Sequence, residues 1–447
     1  MSEGVDTNLP SALRPPSSDG RRVLGNFLSL SIVQFANYLA PIITLPYLFR
    51  VLGLEKYGLT ELARAVSVYF LILTDYGFSF SATQEISVHR DDPEKVSEVF
   101  SAVLLLKFLL LVLSFALLSL LVLVVPKLRA DWPVYYLSFG NVVGMWLFPI
   151  WLFQGLERMK YIPMLSATAK TLYVIAIFGL IRGPADYLYV PLFQSAGAIL
   201  TGLAGLTMAL RCFPIRLRLP SVAVLRQEFL NGWHLFVSQM ATTLYSTSNI
   251  VILGLLTDTT FVAYYAAGDK IVRAVRGLQL PLSQAIFPHI GRLASQSRQA
   301  ALVYSTKVGL LAGVVTLTLS AGLFLGAPTI ARAVLSESQF QGGASVIRVL
   351  SPLPFLIGVS DILGLQIMVN FGLARHLARI LVAGGVLNIM IAVLLVMPLK
   401  HVGVAFASLT TEIFIVGTLC LVLWLKRRCV FGEASAESSV YVREQWP

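Results

Sequence analysis

The chain has 447 residues, of which 56% are hydrophobic and 13% are charged, whereas a soluble domain carries about a quarter charged residues. With a mean hydropathy of +0.77, this composition excludes ordinary soluble, disordered, collagen-like and disulfide-framework proteins and indicates a chain whose main solvent is lipid. The formal charge of +11 would suggest nucleic acid as a partner of a soluble protein, but in a membrane protein it is typical of basic cytoplasmic loops, and we expect no nucleic-acid partner.

The N-terminal segment is polar. Residues 1–23 are rich in Pro and Ser and are expected to form a disordered cytoplasmic tail. The apolar run after them is too long for a cleaved signal peptide and predicts the first membrane span.

Windows of about 20 apolar residues predict some twelve transmembrane helices. These are, in chain order, 24–48, 61–82, 99–125, 132–153, 163–181, 186–210, 232–255, 262–288, 306–328, 347–369, 378–397 and 401–425.

A basic segment, 211–231, divides the predicted spans into two sets of six. We expect an N-terminal six-helix lobe over 24–210, a cytoplasmic linker over 211–231, a C-terminal six-helix lobe over 232–425 and a cytoplasmic tail over 426–447. Lys and Arg are concentrated on one side of this arrangement, which places both termini in the cytoplasm. The loops are too short to contain a soluble catalytic domain, so we expect no enzymatic activity.

Predicted helices 1 and 7 carry similar polar stripes, each on one helix face. The stripe residues that we expect to contact cargo are Gln34, Asn37 and Tyr38 on helix 1 and Gln239, Thr243, Ser246 and Asn249 on helix 7. Helices 2 and 8 also resemble each other, because Tyr57 precedes Glu61 by four residues as Tyr265 precedes Asp269. Such internal similarity predicts two related, pseudo-symmetric six-helix bundles around a central cavity, as in many secondary transporters.

Helices 2 and 8 are unusually rich in charge for membrane spans. One stripe on helix 2 contains Glu61, Arg64 and Asp75, and one on helix 8 contains Asp269, Arg273 and Arg276, beside Lys270. Charges at membrane depth cost several kcal/mol unless they face water or a partner, so these stripes predict a hydrated cavity. Two alternatives stay open. Glu61 with Arg64 and Asp269 with Arg273 could be structural ion pairs at helical spacing, or charges near helix ends could extend to the headgroups, as we expect for Lys107.

Metal and redox chemistry have little support in the sequence. The chain has three cysteines and five histidines, and none of them stands at metal-ligand spacing from another. We therefore expect neither a metal site nor a cofactor.

Several short motifs resemble a known family. The run from Pro46 to Gly58 reads PYLFRVLGLEKYG, and Asp75 to Phe78 reads DYGF. Three further segments are RDDPEK at 90–95, QGLERMK at 154–160 and YYAAGDKI at 264–271. Together they resemble the polysaccharide transporter family, which contains the O-antigen and exopolysaccharide flippases (Wzx-like proteins) of the multidrug/oligosaccharidyl-lipid/polysaccharide exporter superfamily.

The resemblance implies an all-α, two-lobed flippase of the bacterial cytoplasmic (inner) membrane. Its cargo would be an undecaprenyl-diphosphate-linked oligosaccharide, moved from the inner to the outer leaflet by alternating access. A cationic cavity would offset the lost hydration of the diphosphate, and the polar stripes of helices 1 and 7 would hydrogen-bond to the sugar hydroxyls of the cargo. The cationic residues expected there are Arg50, Arg64, Lys270, Arg273 and Arg276, while Glu61, Asp75 and Asp269 are candidates for ion coupling. Expected partners, besides the cargo, are membrane lipids, a polysaccharide polymerase and a chain-length regulator.

Other functions remain open at this point. A drug or cation antiporter of the same superfamily would share the architecture but would need acidic residues for cationic substrates, whereas cations predominate in helix 8. A lipid II flippase would differ only in its cargo. A membrane glycosyltransferase or polymerase would place catalytic carboxylates in large outer loops, which this chain lacks.

Overall fold

A computed structural model describes residues 19–159, 161–277, 279–335 and 340–426 of the chain, and side chains from Ala40 onward except at 245, 280–282, 284, 285, 288 and 295. The expected tail residues 1–18 and 427–447 lie outside the described residues. The last five residues of the expected N-terminal tail belong to the first helix, which begins at Asp19.

Within these ranges the regular structure is helical. The α-helices are α1 (Asp19–Asp75), α2 (Phe78–Val88), α3 (Pro93–Val124), α4 (Pro126–Ala130), α5 (Trp132–Leu147), α6 (Ile150–Gly155), α7 (Tyr161–Leu180), α8 (Tyr189–Cys212), α9 (Val222–Leu256), α10 (Thr259–Gly277), α11 (Leu280–Gln296), α12 (Arg298–Val334), α13 (Phe340–Leu350), α14 (Leu353–Asp361) and α15 (Ala374–Leu425). A 3₁₀ turn (Pro184–Leu188) precedes α8, and a π-helical segment (Ile362–Val369) continues α14.

Two of these helices each contain a pair of predicted spans. The break in α1 falls at Gly53, where φ is 73°, a left-handed value that glycine adopts without steric cost. The break in α15 falls at Lys400, where φ is 51°, and the Lys400 ammonium lies 4.4 Å from the centre of the Phe261 ring. The predicted helices 1 and 2, and likewise 11 and 12, are therefore continuous chains of helix bent at one residue.

The protein is an all-α, multi-pass membrane protein. Eight segments of the described chain are long and apolar enough to cross a membrane by length and composition. The predicted spans fall on helical segments, some of them interrupted by turns, as at Tyr76–Gly77 and Phe148–Pro149. The number twelve stays a prediction, because α10 and the first part of α9 are too polar to be counted by composition.

Part of the predicted linker, 211–231, is helical. Ser221 caps α9, with its hydroxyl accepting from the Val224 N–H at 3.3 Å, so residues 222–231 are helical. The extended part before Ser221 runs along α3, where the N–H groups of Arg216 and Arg218 donate to the hydroxyls of Ser97 and Ser101, each at 3.1 Å. We call this extended part, residues 213–220, the strap.

The two halves of the chain, 24–210 and 232–425, meet along α1. Its second part packs against α10 and the end of α9 in one apolar core, which contains Leu62 and Val66 from the first half and Leu253 and Tyr265 from the second. A separate aromatic contact forms where Tyr76 stacks on Phe229 and Phe236, with ring centroids 4.4 and 4.8 Å apart.

Candidate functional site

A cavity of about 660 Å³ lies between the two halves. Its wall is built from α1, α5, α7 and α8 of the first half and from α9 and α10 of the second. The charged side chains of the wall are Glu61, Arg64, Lys170, Asp269, Lys270 and Arg273. Among these described residues four cations face two carboxylates, so the wall has an excess of positive charge.

Glu61 is the centre of a charged cluster that joins the halves. Its carboxylate accepts from Arg64 on the same helix, with N–O distances of 2.9 Å. The other oxygen of Glu61 accepts from the Lys270 ammonium of α10 at 2.5 Å. Lys270 also donates to the Tyr57 hydroxyl at 2.8 Å. One buried carboxylate therefore holds two cations, one from each half.

The second carboxylate of the wall has a different arrangement. Asp269 accepts from Arg273 Nε at 2.6 Å, one helical turn along α10. The same guanidinium donates to the Ser246 backbone carbonyl of α9 at 2.7 Å. Arg273 is thereby oriented within its own half, and its side chain keeps 42% of its surface exposed. A guanidinium with exposed N–H groups at a cavity wall can bind an anionic oxygen.

The structure combines two interpretations that the sequence left open. Glu61 with Arg64 and Asp269 with Arg273 are ion pairs at helical spacing, and the same four residues line the cavity. The pairing reduces the free energy cost of placing charge at membrane depth, because each cation has a carboxylate partner. These four residues therefore both form ion pairs and line the cavity.

Not every predicted cationic residue reaches the cavity. Arg64, Lys270 and Arg273 line it, as expected from their stripes. Arg50 is exposed near the break in α1 and does not contribute to the wall, and Arg276 is exposed one turn beyond Arg273. Pro41, Thr44 and Leu48 of the same part of α1 do line the cavity, and at 100° per residue Arg50 lies on the opposite face of the helix.

The polar stripes of helices 1 and 7 contribute little of the described wall. The side chains of Gln34, Asn37 and Tyr38 lie outside the described residues. On α9, Ser246 lines the cavity, whereas Gln239 and Thr243 do not. Asn249 is turned into the second half, where its amide donates to Ser408 at 2.7 Å and to Tyr265 at 3.2 Å. The stripe pattern thus marks a packing contact at Asn249 and a cavity contact at Ser246.

The expectation that Lys107 extends to the headgroups is wrong. Its side chain is 3% exposed, and its ammonium donates to Asp75 at 3.0 Å. Asp75 also accepts from Ser79 at 2.7 Å. The ammonium is stabilised by an ion pair with a carboxylate on another helix. The side chain therefore does not have to extend to the water of the headgroup region. Asp75, predicted as an ion-coupling candidate, lies in this pair and not among the cavity-lining residues.

Sequence reasoning missed the largest part of the wall. Polar side chains of α5, α7 and α8 line the cavity at Asn141, Ser166, Lys170 and Gln194. They lie in otherwise apolar spans, and two of them, Ser166 and Lys170, are four residues apart on α7. Only the packing of three helices brings them together, and the presence of Lys170 at membrane depth was the signal that could have indicated them.

Another acidic group lies outside the predicted spans. Glu228, near the start of α9, is 1% exposed. Burial, together with a hydrogen bond to Glu85 and the negative charge of that residue, raises the pKa of the Glu228 carboxyl to about 8. The Lys95 ammonium, 3.7 Å from Glu85 and 3.0 Å from Glu98, offsets part of this effect. Glu228 joins α9 to α2 and α3.

Comparison with known proteins adds family information to this geometry. The family model described as "Polysaccharide biosynthesis protein" matches residues 23–294. A relative from Escherichia coli (strain K12), named "Putative O-antigen transporter", is 30% identical over 400 residues, covering 89% of this chain and 95% of the relative.

Two solved structures have a similar fold. An inward-facing multidrug resistance transporter of the MATE family, in the MOP superfamily, aligns with a TM-score of 0.69 at 14% identity, covering 90% of this chain and 99% of that one. The lipid II flippase MurJ, in an inward closed conformation, aligns with a TM-score of 0.67 at 11% identity, covering 90% of this chain and 87% of that one. At these identities the similarity concerns the fold, which two different transport functions share.

Proposed function

The chain belongs to the polysaccharide biosynthesis protein family, as a Wzx-like polysaccharide transporter, and from this premise we propose that it is a lipid-linked oligosaccharide flippase. Its cargo is an undecaprenyl-diphosphate-linked O-antigen or exopolysaccharide repeat unit. The protein moves this cargo from the inner to the outer leaflet of the bacterial cytoplasmic membrane, with both of its own termini in the cytoplasm.

The excess of cations in the cavity carries this proposal. Four cationic side chains line the wall against two carboxylates. A diphosphate headgroup loses most of its hydration when it crosses a membrane, and the cations replace part of that hydration. A cationic drug would need the opposite balance of charge, so the wall favours an anionic cargo over the substrates of an antiporter.

The mechanism is alternating access around this wall. The contact between Glu61 and Lys270 links the two halves at the cavity. A phosphate oxygen competes with Glu61 for Lys270 and Arg64, because both carboxylate and phosphate accept from the same donors. Cargo binding thus weakens a contact between the halves and lets them move relative to each other, while the lipid tail stays in the bilayer.

This function needs no covalent chemistry. The cavity residues bind, orient and release the headgroup, and no bond of the cargo is broken. On the outer side, a polysaccharide polymerase and its chain-length regulator receive the repeat unit.

Deletion of the gene in its host tests the proposal. We expect loss of surface polysaccharide and accumulation of lipid-linked repeat units on the cytoplasmic leaflet, measured as the fraction accessible to a glycosidase in inside-out vesicles. Complementation with the wild-type gene restores both quantities. The matched control is Lys307→Gln, since Lys307 is an exposed cation of α12 away from the cavity, and it should complement like wild type.

Two results would contradict the proposal. Normal surface polysaccharide with raised drug sensitivity in the deletion strain would favour an antiporter. Cell lysis with accumulation of lipid II would instead assign the protein to cell-wall precursor transport.

A further inference from the structure

Lys170 differs from the other cations of the cavity. Arg64, Lys270 and Arg273 each have a carboxylate partner within 3 Å. Lys170, on α7, is half-buried and lines the same cavity, yet it makes no ion pair with any other described residue. A partly desolvated ammonium without a counter-charge has the strongest tendency of the four to bind an added anion.

The surroundings of Lys170 are polar but neutral. Asn141 of α5, Ser166 of α7 and Gln194 of α8 line the cavity with it. These three side chains are half-buried and make no side-chain hydrogen bond with the rest of the described chain. Their donors and acceptors are therefore free for a ligand. Amide and hydroxyl groups beside one ammonium match a polar headgroup that carries hydroxyls next to an anionic oxygen.

The helices that carry these side chains are held closely together. A Cβ at Gly144 of α5 would lie 2.4 Å from the Ala198 backbone carbon of α8, and a Cβ at Gly140 would lie 2.7 Å from Ser195 Cβ. The Ser195 hydroxyl donates to the Leu137 carbonyl across the same contact. Asn141 and Gln194 thus project from two helices whose backbones touch, so their relative position is fixed before a ligand binds.

Lys170 lies in the same cavity as the charged cluster around Glu61. Tyr173 follows Lys170 by three residues on α7, and both line the same cavity as Glu61. Three residues of helix correspond to about 4.5 Å of rise. A headgroup bound in this cavity is therefore bordered by both Lys170 and the Glu61 cluster.

We propose that the α5–α7–α8 wall is a headgroup subsite in which Lys170 binds an anionic oxygen of the cargo and Asn141, Ser166 and Gln194 bind adjacent hydroxyl groups. This inference rests on the proposed function and adds to it the residues that hold the cargo in the first half. The anionic oxygen comes from the diphosphate or from the carboxylate of an acidic sugar, and both have the chemistry that an ammonium recognises.

Binding of two soluble probes to the full-length protein in nanodiscs tests this subsite. Geranyl diphosphate supplies a diphosphate without sugar, and methyl glucuronoside supplies a sugar carboxylate without phosphate. We expect Lys170→Gln to weaken binding of one probe by about tenfold, the effect of losing one charged hydrogen bond, and Lys170→Arg to retain binding. The affected probe identifies the source of the anionic oxygen. Lys307→Gln is the matched control and should bind both probes like wild type.

The outcomes separate the subsite from the function. Wild-type binding that Lys170→Gln leaves unchanged for both probes overturns the subsite alone. Failure of the wild-type protein to bind either probe overturns the anionic cargo and, with it, the subsite. Thermal unfolding of each variant, compared with wild type, shows whether a loss of binding comes from a loss of fold.

Discussion

The Lys270 ammonium lies 2.5 Å from a Glu61 carboxylate oxygen, although 209 residues separate the two in the chain. Because Glu61 also holds Arg64, its removal leaves two cations without a counter-charge. We expect Glu61→Gln to lower the free energy of unfolding by about 3–5 kcal/mol, as for a broken buried pair. The double variant Glu61→Gln/Lys270→Met should cost less than the sum of the single variants, by about 0.5–3 kcal/mol.

Chemical unfolding in detergent measures this double-mutant cycle. The control is Glu55→Gln, whose side chain is 74% exposed, and it should change stability by less than about 0.5 kcal/mol. Additive effects of the two cavity substitutions would show that the halves are not linked through this contact.

The two arginines of α10 should differ in their effect on transport. Arg273 lines the cavity, whereas Arg276 is exposed and lies outside the wall. We expect Arg273→Ala to reduce surface polysaccharide strongly in a complementation assay and Arg276→Ala to reduce it weakly, with equal amounts of protein in the membrane. The double variant should resemble Arg273→Ala. A stronger effect of Arg276→Ala would place the cargo on a different face of α10.

Lys107 and Asp75 test a buried ion pair away from the cavity. Lys107→Met leaves Asp75, which is 8% exposed, as an uncompensated buried charge, and we expect a loss of about 3 kcal/mol in the free energy of unfolding. Lys107→Met/Asp75→Asn removes both charges and should recover most of that loss. The midpoint of chemical unfolding measures both variants. If the double variant were as unstable as the single one, packing and not charge would be responsible.

The pKa of Glu228 predicts a pH dependence of stability. In the folded protein the pKa is about 8 against an ordinary value of 4.5, so between these values the folded state holds a proton that the unfolded state has released. The contribution of this group to the free energy of unfolding is therefore complete below pH 4.5 and is lost as the pH rises through 8. Glu228→Gln should flatten the fall in unfolding temperature between pH 5.5 and 8.5. Glu94→Gln, at a side chain that is 78% exposed, should leave the fall unchanged.

Substitution of two helix glycines with alanine should change the free energy of unfolding in opposite directions. A Cβ at Gly144 would meet the α8 backbone at 2.4 Å, whereas a Cβ at Gly179 of α7 would meet nothing within 4 Å. We expect Gly144→Ala to cost about 1–3 kcal/mol through overpacking. Gly179→Ala should stabilise by about 0.5–1 kcal/mol through helix propensity. Equal responses at the two positions would contradict the close contact of α5 and α8.

The helices could be predicted because apolar windows of this length have few other interpretations. The partners of the charges could be predicted only within one helix, as for Asp269 with Arg273, where the spacing of four residues fixes the distance. Lys107 was misjudged because Asp75 lies on another helix, and no local pattern relates the two. Lys170 was missed for a related reason: its wall forms when α5, α7 and α8 pack, and the polar residues of each helix alone do not show that they face a common cavity.

The strap connects the start of the second half to a helix that is synthesised earlier. Ser97 and Ser101 each donate to their own helix, to the carbonyls of Pro93 and Ser97, and still accept the N–H groups of Arg216 and Arg218. Ser97 and Ser101 precede Arg216 and Arg218 by 119 and 117 residues, so these acceptors are synthesised well before the donors of the strap. These hydrogen bonds attach the strap to the first half and so fix where α9 begins relative to α3.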